Sequence, residues 1–272
     1  MRQLPVKKTY KLYSGGGFVR SESGRTYRPD GAVNVPRASR KDLRDAIKAA
    51  RGAFPGWSGR TAMNRGQVLY RTAEMLEARR SEFVELLGGG RAAAREVDAA
   101  VDAWVWYAGW TDKLHQVSGT VNPVAGPYFN FTLPEPVGVV GVVAPDEPAL
   151  LGLVLRLAPA LCGGNTAVAL LSPSHPLPGL VLAEVLATSD LPAGSVNLLS
   201  GHREELFGWL GAHMDVNAID AAGCSDAEQA ALERAGAGNL KRVVKLQRAD
   251  ELSPLAVTAL MEYKTVWHPI GV

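Results

Sequence analysis

Cysteine and histidine are scarce in this sequence, basic charge is not in excess, and no long apolar run is free of charge. The two cysteines, Cys162 and Cys224, form no spaced metal or dithiol motif, and the five histidines (His115, His175, His202, His213, His268) are scattered. No metal or redox centre is therefore expected. With 29 basic against 27 acidic residues the formal charge is +2, which gives no case for nucleic-acid or membrane binding. The N-terminus lacks the apolar core of a signal peptide, and the most apolar span, 145–171, is interrupted by Asp146, Glu147 and Arg156. A reducing, cytoplasmic location is the expectation.

What is present is apolar content of 47%, ample for a proper core. Residues 10–35 alternate short apolar pieces with Gly and Pro and predict small strands and turns. Ser39 with Asp42 resembles a capping box, and Leu43, Ala46, Ile47, Ala50 and Phe54 follow at helical spacing until Pro55-Gly56, where the helix should stop. Two further helices are predicted over 63–87 and 92–115. The second carries Trp104, Trp106, Tyr107 and Trp110, for which helix packing is the favoured role over a ligand pocket. A hairpin is expected from 117–124 and 128–133 around an Ala-Gly-Pro turn.

From residue 136 the texture changes to apolar strands separated by helices, the pattern of a parallel sheet covered on both faces. Strands are predicted at 137–143, 166–171, 195–200, 216–221 and 240–246. The fold class is therefore α/β, with a five-stranded Rossmann-like parallel sheet, an N-terminal helical segment, a small β-hairpin and a C-terminal strand. No Gly-x-Gly-x-x-Gly follows any strand. The expected division is 1–116 for N-terminal strands and helices packing on the Rossmann-like part, 117–135 for the hairpin, 136–247 for the Rossmann-like domain, and 248–272 for a linker and terminal strand.

Several stretches together resemble the aldehyde dehydrogenase superfamily. They are VPRASRKDLRDAIKAARGAFPGW (35–57), YAGWTDKLH (107–115), EPVGVVGVVAP (135–145), LAPALCGGNTAV (157–168), LPAGSVNLLSG (191–201) and NLKRV (239–243), in family order. Tyr263-Lys264-Thr265-Val266 resembles the family's extreme C-terminal strand. The catalytic domain that a full-length member carries between these last two segments has no counterpart, and neither cysteine aligns with the nucleophile. The resemblance that fits best is to the abbreviated second module of two-module members.

The resemblance also implies a degenerate cofactor cleft, at Pro145, Asp146, Glu147, Leu170, Gly201, Gly223 and Cys224. Where the family has Pro-Trp-Asn-Phe-Pro, this chain has Pro145-Asp146-Glu147-Pro148-Ala149, so the oxyanion-holding Asn is replaced by the acceptor Glu147. The ribose-gripping Lys and Glu of the family align with Leu170 and Pro173. In the turn that approaches the pyrophosphate, Gly223 remains and the second Gly is Glu228. The general-base motif aligns near residues 245–249, with no acid in place. Asp146 and Glu147 are expected to cap the following helix.

No catalytic residue and no cofactor are expected on these grounds; NAD or NADP enters only if the chain is one half of a split oxidoreductase. The assembly elements survive, namely the hairpin with Tyr128, Phe129 and Phe131 and the terminal strand with Tyr263, Val266 and Trp267. An apolar edge strand without a partner is an aggregation liability. Pairing with a full-length aldehyde dehydrogenase subunit or with a second copy is expected, rather than folding back on its own hairpin. A non-catalytic subunit is thus the leading expectation, the split oxidoreductase the alternative, and a sensor of cationic ligands near Asp146 and Glu147 a third.

Overall fold

The computed structural model describes residues 8–29, 31, 33–245 and 252–271. The chain opens with four short strands, β1 (Leu12–Ser14), β2 (Gly17–Val19), β3 (Thr26–Tyr27) and β4 (Val35–Pro36). Helix α1 (Arg40–Ser58) starts at the expected capping box, with Asp42 N donating to Ser39 Oγ and Ser39 N donating to the Asp42 carboxylate. It does not stop at Pro55-Gly56. The helix runs on to bury Trp57, whose indole N–H donates to Leu161 O at 3.2 Å. Burying an indole outweighs the single ladder bond that an internal proline removes.

The helix predicted over 63–87 is two, α2 (Ala62–Ala78) and α3 (Arg80–Leu86), broken at Arg79. The break turns Phe83 fully into the core, and Arg79 reaches Glu82 and Glu184. Helix α4 (Gly90–Trp110) buries Trp104 and Tyr107 completely, while Trp106 and Trp110 pack against the same core, so the aromatic cluster packs helices together. The start of the predicted hairpin is instead a short helix, α5 (Leu114–Ser118), closed by Gly119 N donating to His115 O.

Two elements then form the small sheet, β5 (Thr120–Asn122) and β6 (Tyr128–Pro136). The remainder alternates strand and helix: β7 (Val139–Val143), α6 (Leu151–Cys162), β8 (Thr166–Leu170), α7 (Leu177–Leu186), β9 (Val196–Leu199), α8 (Arg203–Ala212), β10 (Ala218–Asp220), α9 (Asp226–Gly236) and β11 (Arg242–Val244). A short helix α10 (Pro254–Thr258) precedes β12 (Met261–Pro269).

The main sheet has seven strands rather than the expected five, in the order β11-β10-β7-β8-β9-β1-β2. The five predicted strands form its parallel part. β1 adds antiparallel to β9, with Tyr13 opposite Leu198, and Gly15 N donates to Asn197 Oδ1 at 2.8 Å. This N-terminal pair covers an edge that would otherwise stand open. Period-two alternation splits the strands between two layers. Val140 and Val142 face α2, α4, α6 and α7, whereas Val139 and Val143 face α1, α8 and α9.

The terminal strand also departs from expectation. All nine residues of β12 pair antiparallel with β6, from Met261 opposite Pro136 to Pro269 opposite Tyr128, giving the sheet β12-β6-β5. The strand therefore folds back on its own hairpin, where nine register pairs close within one chain without the loss of freedom of association. Its outer edge pairs with no strand among the described residues. Among those residues no helix is long and apolar enough to cross a membrane, and no three His, Cys, Asp or Glu residues gather to hold a metal ion.

Candidate functional site

In the main sheet β8 and β9 extend one way from β7, and β10 and β11 the other, so the winding reverses between β7 and β10. Ligands of doubly wound folds enter the crevice outside the strand ends at such a point. Here that crevice is crossed by Arg203, the first residue of α8. Its guanidinium donates to Gly223 O at 3.0 Å, to Ala144 O, and to Asp146 Oδ1 at 3.0 Å. Its side chain is 12% exposed, and it ties the end of β7 to the turn after β10.

Asp146 is held from a second side by the Ser172 hydroxyl, which donates to it at 2.7 Å. It does not cap the next helix, and neither does Glu147, whose side chain is 84% exposed with His175 Nε2 3.8 Å away. The cap comes from Glu96 on α4: its Oε1 accepts from Leu150 N at 2.8 Å and Leu151 N at 3.2 Å. A carboxylate there complements the helix dipole and satisfies two amides that the α6 ladder cannot reach. The loop 144–149 leads Asp146 towards Arg203 instead.

The other expected cleft residues are also engaged by the fold. A Cβ on Gly223 would lie 2.2 Å from Ala144 O, so this glycine permits backbone to meet backbone between β10 and β7. A Cβ on Gly201 would meet Ala38 N at 3.2 Å, where the chain enters α1. Leu170 is buried at the end of β8, and the Pro145 ring closes against Gly152. Glu228 belongs to the capping box of α9, accepting from Ser225 N at 2.7 Å, while Ser225 Oγ accepts from Glu228 N. Ser225 N, together with the Ser225 hydroxyl that donates to the same carboxylate at 2.8 Å, holds the Glu228 carboxyl below the usual range. Asp226 pairs with Lys245.

Both cysteines are buried, and burial pushes each thiol up to about 12. Each is thereby held in its protonated thiol form at neutral pH. Behind the crevice Arg156 and Asp220 form a buried pair, Nε to Oδ2 3.9 Å, with the Asp220 carboxyl raised to about 6 by burial against the opposing pull of Arg156. Sequence reasoning missed Glu96, Arg203 and Asp220. Arg203 stood next to a cleft motif, and a search for groups that complement the cleft's acids would have found it.

A sequence profile described as the aldehyde dehydrogenase family matches residues 25–247. The chain belongs to the aldehyde dehydrogenase family. It is 32% identical over 255 residues to retinal dehydrogenase 2 of Homo sapiens, covering 88% of this chain and 48% of that one. It is 31% identical over 258 residues to aldehyde dehydrogenase 1A1 of Gallus gallus, covering 89% and 50%. Among solved structures it resembles the NAD+ complex of an aldehyde dehydrogenase from Bacillus cereus, with TM-score 0.79, 28% identity, and 87% and 50% of the two chains covered. The NAD complex of PnpE gives the same values. The chain spans about half the length of the curated relatives it matches.

Tested against such an anionic dinucleotide, the crevice residues of this aldehyde dehydrogenase-family chain do not fit. Arg203 at the crevice is bonded to the chain's own carbonyls, and the Glu228 amide of α9 is taken up by Ser225 Oγ. Asp146 and Glu228 lie close enough to act on each other and add negative charge at the crevice, which opposes an anionic ligand.

Proposed function

We propose that this chain is a non-catalytic, aldehyde dehydrogenase-like subunit that scaffolds or regulates a full-length aldehyde dehydrogenase and takes up no NAD or NADP itself. The observation that supports this most is the β12-β6-β5 sheet, which offers a nine-residue edge with Tyr263, Val266 and Trp267 exposed and Tyr128 and Phe129 beside them. Phe131 and Phe129 lie tilted 5.4 Å apart on the Val266 face of this sheet, and Trp267 meets Tyr128 edge-on at 5.7 Å on the other. Exposed aromatics along an open strand are suited to pairing with another chain, since the backbone supplies affinity and the side chains supply specificity. A crevice closed by Arg203 agrees with a role in assembly rather than turnover.

The test is to recover the chain from its host and weigh the associated species by native mass spectrometry. A full-length aldehyde dehydrogenase in fixed ratio is expected. Placing an acid on the edge, Val266→Asp with Trp267→Asp, should weaken that complex by about 30-fold or more, the size of one lost interface anchor. Thermal melting should barely move, because both side chains are exposed. Recovery of the chain alone, or aldehyde oxidation by the purified chain with NAD or NADP, would overturn the reading.

The alternative, the NAD(P)-binding half of a split aldehyde oxidoreductase completed by another chain, draws on the likeness to the two NAD complexes. Calorimetric titration separates the two. A working half-site gives micromolar to millimolar binding, and an occluded crevice gives no heat.

A further inference from the structure

Asp146 and Glu147 diverge: the first turns into the crevice towards Arg203, and the second lines a separate cavity of about 680 Å³. That cavity lies between the loop entering α6, the loop entering α7 and the end of α3. Its volume is that of a small-molecule site. Leu86, Leu87 and Leu177 form apolar wall, together with four prolines. The charged groups on the wall are the carboxylates of Glu96 and Glu147, and no lysine or arginine lines it.

Two further features define what the cavity takes. The α6 N-terminus that borders it is already capped by Glu96 Oε1, so the amides of Leu150 and Leu151 are not free for an anion. Glu147 extends from the wall into solvent, with His175 Nε2 3.8 Å away. Among the described residues no third metal-ligating side chain joins these carboxylates, so a divalent ion is not the natural guest. A cation with an apolar body satisfies both parts of the wall.

We infer that this cavity binds a small organic amine, its ammonium placed between Glu147 and Glu96 and its carbon skeleton against Leu86, Leu87 and Leu177. The site does not depend on the subunit role proposed above, and it is distinct from the crevice between β7 and β10.

The test is calorimetric titration of the purified full chain with phenethylamine, hexylamine and benzyltrimethylammonium, with hydrocinnamate as the anionic counterpart. At least one of the amines is expected to bind and hydrocinnamate to give no heat. Glu147→Gln, a change at an exposed side chain that should leave melting unaltered, is expected to weaken the amine about tenfold, as for a lost hydrogen bond to a charged group. Glu147→Lys should abolish binding. Equal binding of amine and hydrocinnamate, an amine affinity untouched by Glu147→Gln, or no heat from any of the three cations at about 10 mM would overturn the inference.

Discussion

Replacing Arg203 by alanine is expected to destabilise the fold by about 3 to 5 kcal/mol, because it removes three charge-assisted hydrogen bonds and leaves two carbonyls at the crevice without their donor. The bonds in question run to Gly223 O, Ala144 O and Asp146 Oδ1, and they add to the backbone bond from Gly223 N to Val143 O that already links these strand ends. For a chain of this length that corresponds to a fall in melting temperature of about 6 to 15 °C. Arg203→Lys should recover only part of it, since an ammonium on one stem cannot span both carbonyls as a planar guanidinium does. The functional half of the expectation is that neither variant acquires NAD binding, because Asp146, Glu228 and Leu170 remain. Differential scanning calorimetry with and without NAD checks both halves. A shift below about 2 °C would show that the guanidinium is not a structural tie, and NAD binding by Arg203→Ala would show that the arginine alone keeps the cofactor out.

Arg156→Met is expected to cost about 3 to 5 kcal/mol, the usual penalty when one member of a buried ion pair is removed. Arg156 is 4% exposed and Asp220 is fully buried, with 3.9 Å between Nε and Oδ2. Adding Asp220→Leu to Arg156→Met should restore much of the loss, as apolar replacements of buried pairs are often neutral. The coupling energy read from the double-mutant cycle is the decisive quantity. Additive effects would mean the two side chains do not act as a pair.

The same carboxyl gives a pH signature. Burial raises it from an ordinary value near 3.8 to about 6, so the folded chain holds that proton more tightly than the unfolded one. Its contribution to stability is therefore complete below the ordinary value and is lost as pH rises through about 6. The loss amounts to about 3 kcal/mol on the linkage scale. Urea midpoints of the parent chain and Asp220→Asn, compared from about pH 4 to 7, should differ in slope in that direction. Parallel curves would remove Asp220 as the titrating group.

Much of the architecture was legible because it is written in local pattern. The apolar runs that became β7, β8 and β9 are read directly, as buried parallel strands carry apolar side chains on both faces. The capping box at Ser39 and Asp42 is equally local. Local signals failed where a distant contact outweighed them. Pro55 marked a stop, yet the pocket for Trp57 beside Leu161 carried the helix past it. Asp146 and Glu147 stood where first-turn acids belong, yet Glu96, 54 residues before Leu150, took the cap.

By itself, then, the sequence determined the α/β class and the kinship with aldehyde dehydrogenases, since these depend on residue identity and short-range period. Tertiary structure alone decided that Arg203 bridges the crevice to Asp146, that Arg156 meets Asp220, and that β12 lies on β6 with one edge open. The physical reason is common to all three. Each is a contact between groups distant in the chain, set by where loops deliver side chains and by which buried charges must find a partner, and hydrophobic periodicity carries no record of either.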